Sequence, residues 1–229
     1  MVIIDTVYQK VLMFANKEQR GYITPQEFNM FADQAQKEIF EQYFYDLNQF
    51  SRIHGNSGEY SDVIHNINEK IAIFEKTSVI ASGSIVAATT AGTDDFYRLG
   101  TVRYQGSEVE EVQQNEILYI NQSPLTKPSV TRPVYVRTGE STVDIYPTSI
   151  TSASCTYIAQ PIKPSWGYVV VLGKAMYDSS NTTNFELHAA EESELVYKIL
   201  KFAGISMKRD DIMKAGQGLE QLQVQQEKQ

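Results

Sequence analysis

The sequence predicts an α+β fold: a helical module built from the N- and C-terminal helices, with an inserted antiparallel β-sandwich or barrel-like domain. Three observations predict it. Residues 16–50 carry an apolar stripe of helical period behind a strong helix-start signal. From residue 77 to about 177 the chain turns to Val, Ile, Thr, Tyr and Ser, with Gly and Pro punctuation every 8 to 12 residues or so. After residue 184 the helical pattern returns. The expected organisation is therefore N-terminal helices over 1–76 and a β-rich domain over 77–184. A C-terminal helix over 185–208 packs back on the first helices, and 209–229 forms a flexible assembly tail.

A short first helix is expected over 6–15, with Val7, Val11 and Phe14 on one face and Asp5 as its cap. The second helix starts at Thr24-Pro25-Gln26-Glu27. Thr24 can accept from the free N–H groups of the first turn, Pro25 loses nothing at the first helical position, and Glu27 can reach back to the cap. Phe28, Phe31, Ala32, Ala35, Ile39, Tyr43, Leu47 and Phe50 then recur at spacings of three and four. That is one face of a helix of about seven turns, and so apolar a face needs a partner surface. Residues 54–58 read as a loop. A third helix fits 62–74, capped by Ser61, with Val63, Ile67, Ile71 and Phe74 on one side.

In the β-rich region, Val79-Ile80 and Ile85-Val86 flank a turn at residues 82–84. Val102 and Tyr104 lead into Gln105-Gly106-Ser107, after which Val109 and Val112 return. Val134 and Val136 pair with Val143 and Ile145 across residues 138–141, the clearest hairpin in the chain. Thr156, Ile158 and the run at 168–172 complete about seven or eight strands. A helix over 190–203 follows, with Leu195, Val196, Ile199, Leu200 and Phe202 on a core face. Glu191, Glu192 and Glu194 lie near its start and Lys198 and Lys201 near its end, which suits the helix dipole. Gly204 should stop it. Beyond residue 209 the apolar residues are Ile212, Met213, Leu219, Leu222 and Val224, spread through polar residues and two glycines. Such a segment frays alone and orders when a neighbour supplies the other face.

Composition narrows the function. Apolar residues make up 42% and charged residues 21% of the 229, an ordinary globular balance. A net charge of −8 and a pI near 5.0 argue against wrapping nucleic acid through its phosphates. The single cysteine, Cys155, excludes a disulfide framework and reads as a small core residue. The opening residues lack a signal-peptide pattern, and no apolar run approaches the ~18 residues of a membrane span. The three histidines, His54, His65 and His188, have no metal-ligand spacing, and catalytic elbows, phosphate loops and dinucleotide fingerprints are missing from the sequence. Asp94-Asp95 and Glu110-Glu111 are adjacent pairs, which a strand points to opposite faces. No enzyme and no cofactor is expected.

One motif points to calcium. Gly21, Ile23, Glu27 and Phe28 copy the second half of an EF-hand loop, which places Asn16, Glu18 and Arg20 at the first, third and fifth ligand positions. Arg20 brings a fixed positive charge where an oxygen is required. Asn16, Glu18 and Glu27 are the weak metal candidates, and capping chemistry already accounts for Thr24 and Glu27.

Five stretches carry a family resemblance: NKEQRGYITPQEFNMFADQAQKEIFEQYFYDLNQ, DDFYRLGTVRYQGSEVEEV, SPLTKPSVTRPVYVRTGESTVDIYP, YIAQPIKPSWGYVVV and FELHAAEESELVYKILKFAGI. In these the chain resembles the head-to-tail connector, or tail-adaptor ring, proteins of short-tailed bacteriophages, particularly the crAss-like and related groups. The resemblance implies a structural subunit of the virion neck, made in the host cytoplasm. It would assemble as a ring of about twelve copies below the portal. Portal protein and neighbouring tail or ring proteins would be its partners, and DNA would pass an acidic conduit without specific binding. In that family a C-terminal segment can reach into the portal, which makes Ile212, Met213, Leu219, Leu222 and Val224 the expected assembly interface. The other function class open to the sequence is a non-enzymatic binding module, with carbohydrate or peptide on the β-domain and calcium on the EF-hand-like loop.

Overall fold

In the computed structural model the first two helices form where apolar periodicity and capping chemistry place them. It describes residues 1–15, 23–52, 58–81, 83–86, 96–139, 141–206 and 210–227. Helix α1 (Ile4–Ala15) begins earlier than expected, so Asp5 lies inside its first turn rather than capping it. Helix α2 (Pro25–Arg52) starts at the predicted box. Its stripe is buried at Phe28, Ala32, Ala35, Ile39, Tyr43 and Phe50, with Phe40 and Gln36 added. Helix α3 (Gly58–Ala72) also starts early, which leaves Ser61 within it. The expected loop around His54 falls largely outside the described residues.

The chain folds as two compact units. One joins Met1–Ile73 to Pro161–Gln229, and the other is Phe74–Gln160. In the first, α5 (Glu192–Ser206) is the central element: α1, α2 and α6 (Asp210–Glu227) all pack on it, and α3 packs on α2. Leu195, Val196, Ile199, Leu200 and Ala203 of α5 meet the buried faces of α1 and α2, with Phe185 and Leu187 added from the segment before. Each such side chain contributes about 1.5–3 kcal/mol by leaving water. Helix α5 runs through Gly204, which therefore does not stop it.

The second unit holds a five-stranded antiparallel sheet and a three-stranded one. The first comprises β1 (Glu75–Ala81), β2 (Ser84–Val86), β3 (Phe96–Tyr104), β4 (Ser107–Glu108) and β8 (Ser152–Ala159), in the order β2-β1-β8-β3-β4. The second comprises β5 (Glu110–Glu111), β6 (Val134–Arg137) and β7 (Val143–Tyr146), in which the short β5–β6 pair is parallel. The hairpins expected at 79–86, 104–107 and 134–145 are present in register. A single cluster draws Ile80, Val102, Ala153 and Cys155 from one sheet and Tyr135, Val143 and Ile145 from the other. Burial pushes the Cys155 thiol above its ordinary pKa, as expected of a small core residue. Helix α4 (Glu116–Gln122) was not foreseen; Ile117 is its one buried residue, so no stripe marks it.

The run at 168–172 joins no strand of either sheet. It forms a two-stranded hairpin, β9 (Tyr168–Val171) with β10 (Lys174–Tyr177), which belongs to the helical unit.

Candidate assembly surfaces

Of the three metal candidates, Asn16 and Glu18 lie outside the described residues. Glu27 is committed to the helix start. Its Oε2 accepts from the Thr24 backbone N–H at 2.9 Å and from the Thr24 hydroxyl at 2.7 Å, while its own N–H donates to Thr24 Oγ1 at 3.2 Å. Those two bonds hold the Glu27 carboxyl below the usual carboxylate range. Capping chemistry accounts for the residue in full. Among the described residues no group of His, Cys, Asp or Glu is arranged to hold a metal ion. His188 caps a 3-10 turn, its Nδ1 accepting from the Ala190 N–H. Glu111, of the adjacent carboxylate pair, accepts from the Tyr135 hydroxyl at 3.1 Å. Burial first, then the Glu111 charge, push that phenol up to about 12.

The C-terminal segment corrects the expectation of a flexible tail: it is helix α6, docked on α5. Gly216 makes the approach possible. A Cβ there would stand 3.0 Å from the Lys201 nitrogen and 3.1 Å from the Tyr197 carbonyl oxygen, so any larger residue would force the two backbones apart by a few tenths of an ångström. The docked face is charged. Lys198 Nζ lies 2.7 Å from Glu220 and 3.4 Å from Glu194, and Lys201 Nζ lies 2.9 Å from Glu220. Lys198 and Glu194 are both buried. Burial alone would lower the Lys198 pKa, but the Glu220 hydrogen bond and the charges of Glu194, Glu220 and Glu38 outweigh it and hold the pKa above its ordinary value. For Glu220 burial acts to raise the pKa; Lys198 and Lys201 outweigh that and lower it. Half-buried Lys70 pairs with buried Glu191 at 2.6 Å, and Lys70 lines a cleft of about 310 Å³ with Ile39, Tyr43, Phe50 and Ile67 in its wall.

This docking divides the five expected interface residues. Met213 and Val224 are half-buried, whereas Leu219 and Leu222 stay exposed. Ile212 belongs to α6, and its side chain lies outside the described residues.

The hairpin is a surface that sequence reasoning missed. Its root is held firmly. Trp166 is buried, stacks on Tyr168 and leans on Tyr177, and sits 4.2 Å from the Tyr8 ring. The indole N–H donates to Asp5 at 2.9 Å, and Asn29 bonds both the Trp166 N–H and its carbonyl. A Cβ on Gly167 would fall 2.6 Å from the Asn181 carbonyl, so the chain passes too tightly here for any other residue. Beyond the root the hairpin is apolar and uncovered. Val169, Val171 and Met176 share one face, Val170 the other, and Leu172 at the turn is 99% exposed. Leu172 and Gly173 both take positive φ, the tight turn that suits a twisted two-stranded ribbon. The signal for this hairpin, YVVVLGKAMY, was in the sequence, but an apolar run reads as a buried strand until its neighbours are known.

A groove on the same unit is mainly apolar, with Gln9, Lys10 and Ser193 at its polar side. Leu12, Met13 and Phe14 of α1 and Val196 and Tyr197 of α5 line a space of about 900 Å³. Met13 is 73% and Phe14 52% exposed. No protein-family model matches this chain, and no curated protein is similar to it in sequence.

Proposed function

We propose that this chain is a structural, non-catalytic subunit of a bacteriophage head-to-tail connector: an adaptor ring below the portal, surrounding the DNA conduit. The observation that carries this reading is the large apolar surface that the described residues of the helical unit leave exposed, at the hairpin and at the α1/α5 groove. Monomeric proteins rarely expose patches beyond a few hundred Å², and subunits of assemblies do. The five family-like stretches support the same reading. So does the net charge of −8, because an acidic bore lets DNA slide without adhering. In this reading the β unit is an inserted sandwich-like or barrel-like module, since one hydrophobic cluster draws on both its sheets. Leu219 and Leu222 are the C-terminal residues available to the portal.

Mass measurement by light scattering tests the proposal. The chain alone is expected at 25.9 kDa. Mixed with a portal protein of such a phage, it should add roughly 310 kDa, the mass of a ring of about twelve copies. A mass unchanged by the portal overturns the reading.

A further inference from the structure

We propose that the β9–β10 hairpin is the arm by which one copy of this chain grips the next, its tip seated in the α1/α5 groove of the neighbouring copy. This rests on the ring reading above and names the contact that closes the ring.

The arm needs a partner. A two-stranded ribbon alone is marginal in water, and gains stability only from further strands or a packed face. Here the root is packed on Trp166, while the distal residues, Val169 to Leu172 and Met176, are left between 46% and 99% exposed. With Tyr177 their fractional exposures correspond to roughly 600 Å² of surface, against about 800 Å² per partner in a standard stable interface. The arm therefore supplies most of what a specific contact requires.

A second copy fits as the occupant for two reasons. Among the described residues the chain presents an unfilled, mainly apolar groove, and its open space of about 900 Å³ is as large as the pockets that take a small ligand. The arm and the groove are different surfaces of one compact unit, so arm-to-groove pairing is head-to-tail. A contact of that kind repeats from copy to copy and generates a ring when the rotation closes, whereas arm-to-arm pairing would stop at a dimer and leave both grooves bare. The only charge on the arm is Lys174, and Lys10 at the groove is already ion-paired to Glu192, so the contact is carried by apolar burial and not by charge.

Two forms with one added cysteine each, Leu172→Cys and Met13→Cys, test the pairing. Both positions are exposed, and the native thiol, Cys155, is 1% exposed and stays out of the reaction. The two forms are mixed in equal amounts with portal protein. Copper–phenanthroline then oxidises neighbouring thiols, taking two electrons and two protons as each disulfide forms. The expected result is a disulfide dimer from the mixture and none from either form alone. Leu172→Asp, with an unchanged circular dichroism spectrum, should enter rings at least tenfold less. The inference is overturned if the native chain forms rings while the mixture gives no mixed disulfide, or if Leu172→Cys couples only to portal protein carrying its own exposed thiol. If the native chain does not join the portal, the ring reading fails separately. The same mixture, oxidised at high concentration without portal, then decides the contact: a mixed disulfide upholds it and its absence overturns it.

Discussion

The hairpin arm and the α5–α6 pair invert each other's chemistry. The arm is apolar and exposed, with Leu172 wholly in water, whereas the helix pair is joined through charges that are buried, Lys198 and Glu194 among them. In each case the residues occupy the environment that costs free energy in isolation. The arm is tolerated because its root on Trp166 is dense and an assembly partner can cover the rest. The buried charges are tolerated because each has an opposite charge close by, and Gly216 lets the helices come near enough to keep them paired. Burial and polarity therefore report different things here: the inverted arm marks a surface for another molecule, the inverted helix pair a closed internal contact.

Removing a charge from the helix pair should have the largest effect. Lys198→Ala removes the cation 3.4 Å from buried Glu194 and leaves Glu220 to Lys201, and should cost about 3–5 kcal/mol in urea unfolding. A loss below about 1 kcal/mol would mean that water already screens the site, and would break the comparison. The same network sets a pH window. Because the Glu220 pKa is lowered on folding, its contribution is present above its ordinary value of 4.5 and is lost as pH falls through the folded value. Because the Lys198 pKa is raised, its contribution is present below 10.5 and is lost as pH rises through its own folded value. Helicity followed across acid titration should show α6 releasing below about pH 4.5.

The two glycines of α6 sharpen the contrast further. Gly216→Ala pushes a methyl against α5 backbone and should destabilise by about 1–3 kcal/mol. Gly218 faces open space, so Gly218→Ala should stabilise by about 0.5–1 kcal/mol through helix propensity alone. Thermal melts of the pair should therefore move in opposite directions, and a rise in both would place α6 off α5. The smallest effect belongs to the arm. Leu172→Asp should change the unfolding free energy of the monomer by less than about 0.5 kcal/mol, since the side chain touches nothing within its own chain. A larger loss would mean that the arm serves its own fold.

Much of the fold was legible because it is local. Thr24 and Glu27 announce α2 through bonds three residues apart, and Val134 to Ile145 announce a hairpin by alternation. Helix starts were misplaced at Asp5 and Ser61 because a capping residue is ambiguous when several polar residues precede the stripe. Asp5 is taken instead by the indole of Trp166, a partner 161 positions away. Gln36 was passed over as a polar position on α2. It is fully buried, donating to the Ile162 carbonyl and accepting from the Glu186 N–H. Both contacts are long-range, and nothing in the spacing of residues around Gln36 signals them.

By itself the sequence determined the α+β class, the long second helix and its cap, the tight hairpins and the acidic charge, because each depends on residues a few positions apart. Tertiary structure decided the rest. It made a helix of a tail too polar to hold one alone, by setting Glu220 against Lys198 and Lys201 across the Gly216 contact. It also placed the run at 168–172 outside the β unit as an exposed arm. An apolar strand and an apolar arm have the same local pattern, and only what lies beside them in space, a sheet or open water, tells them apart.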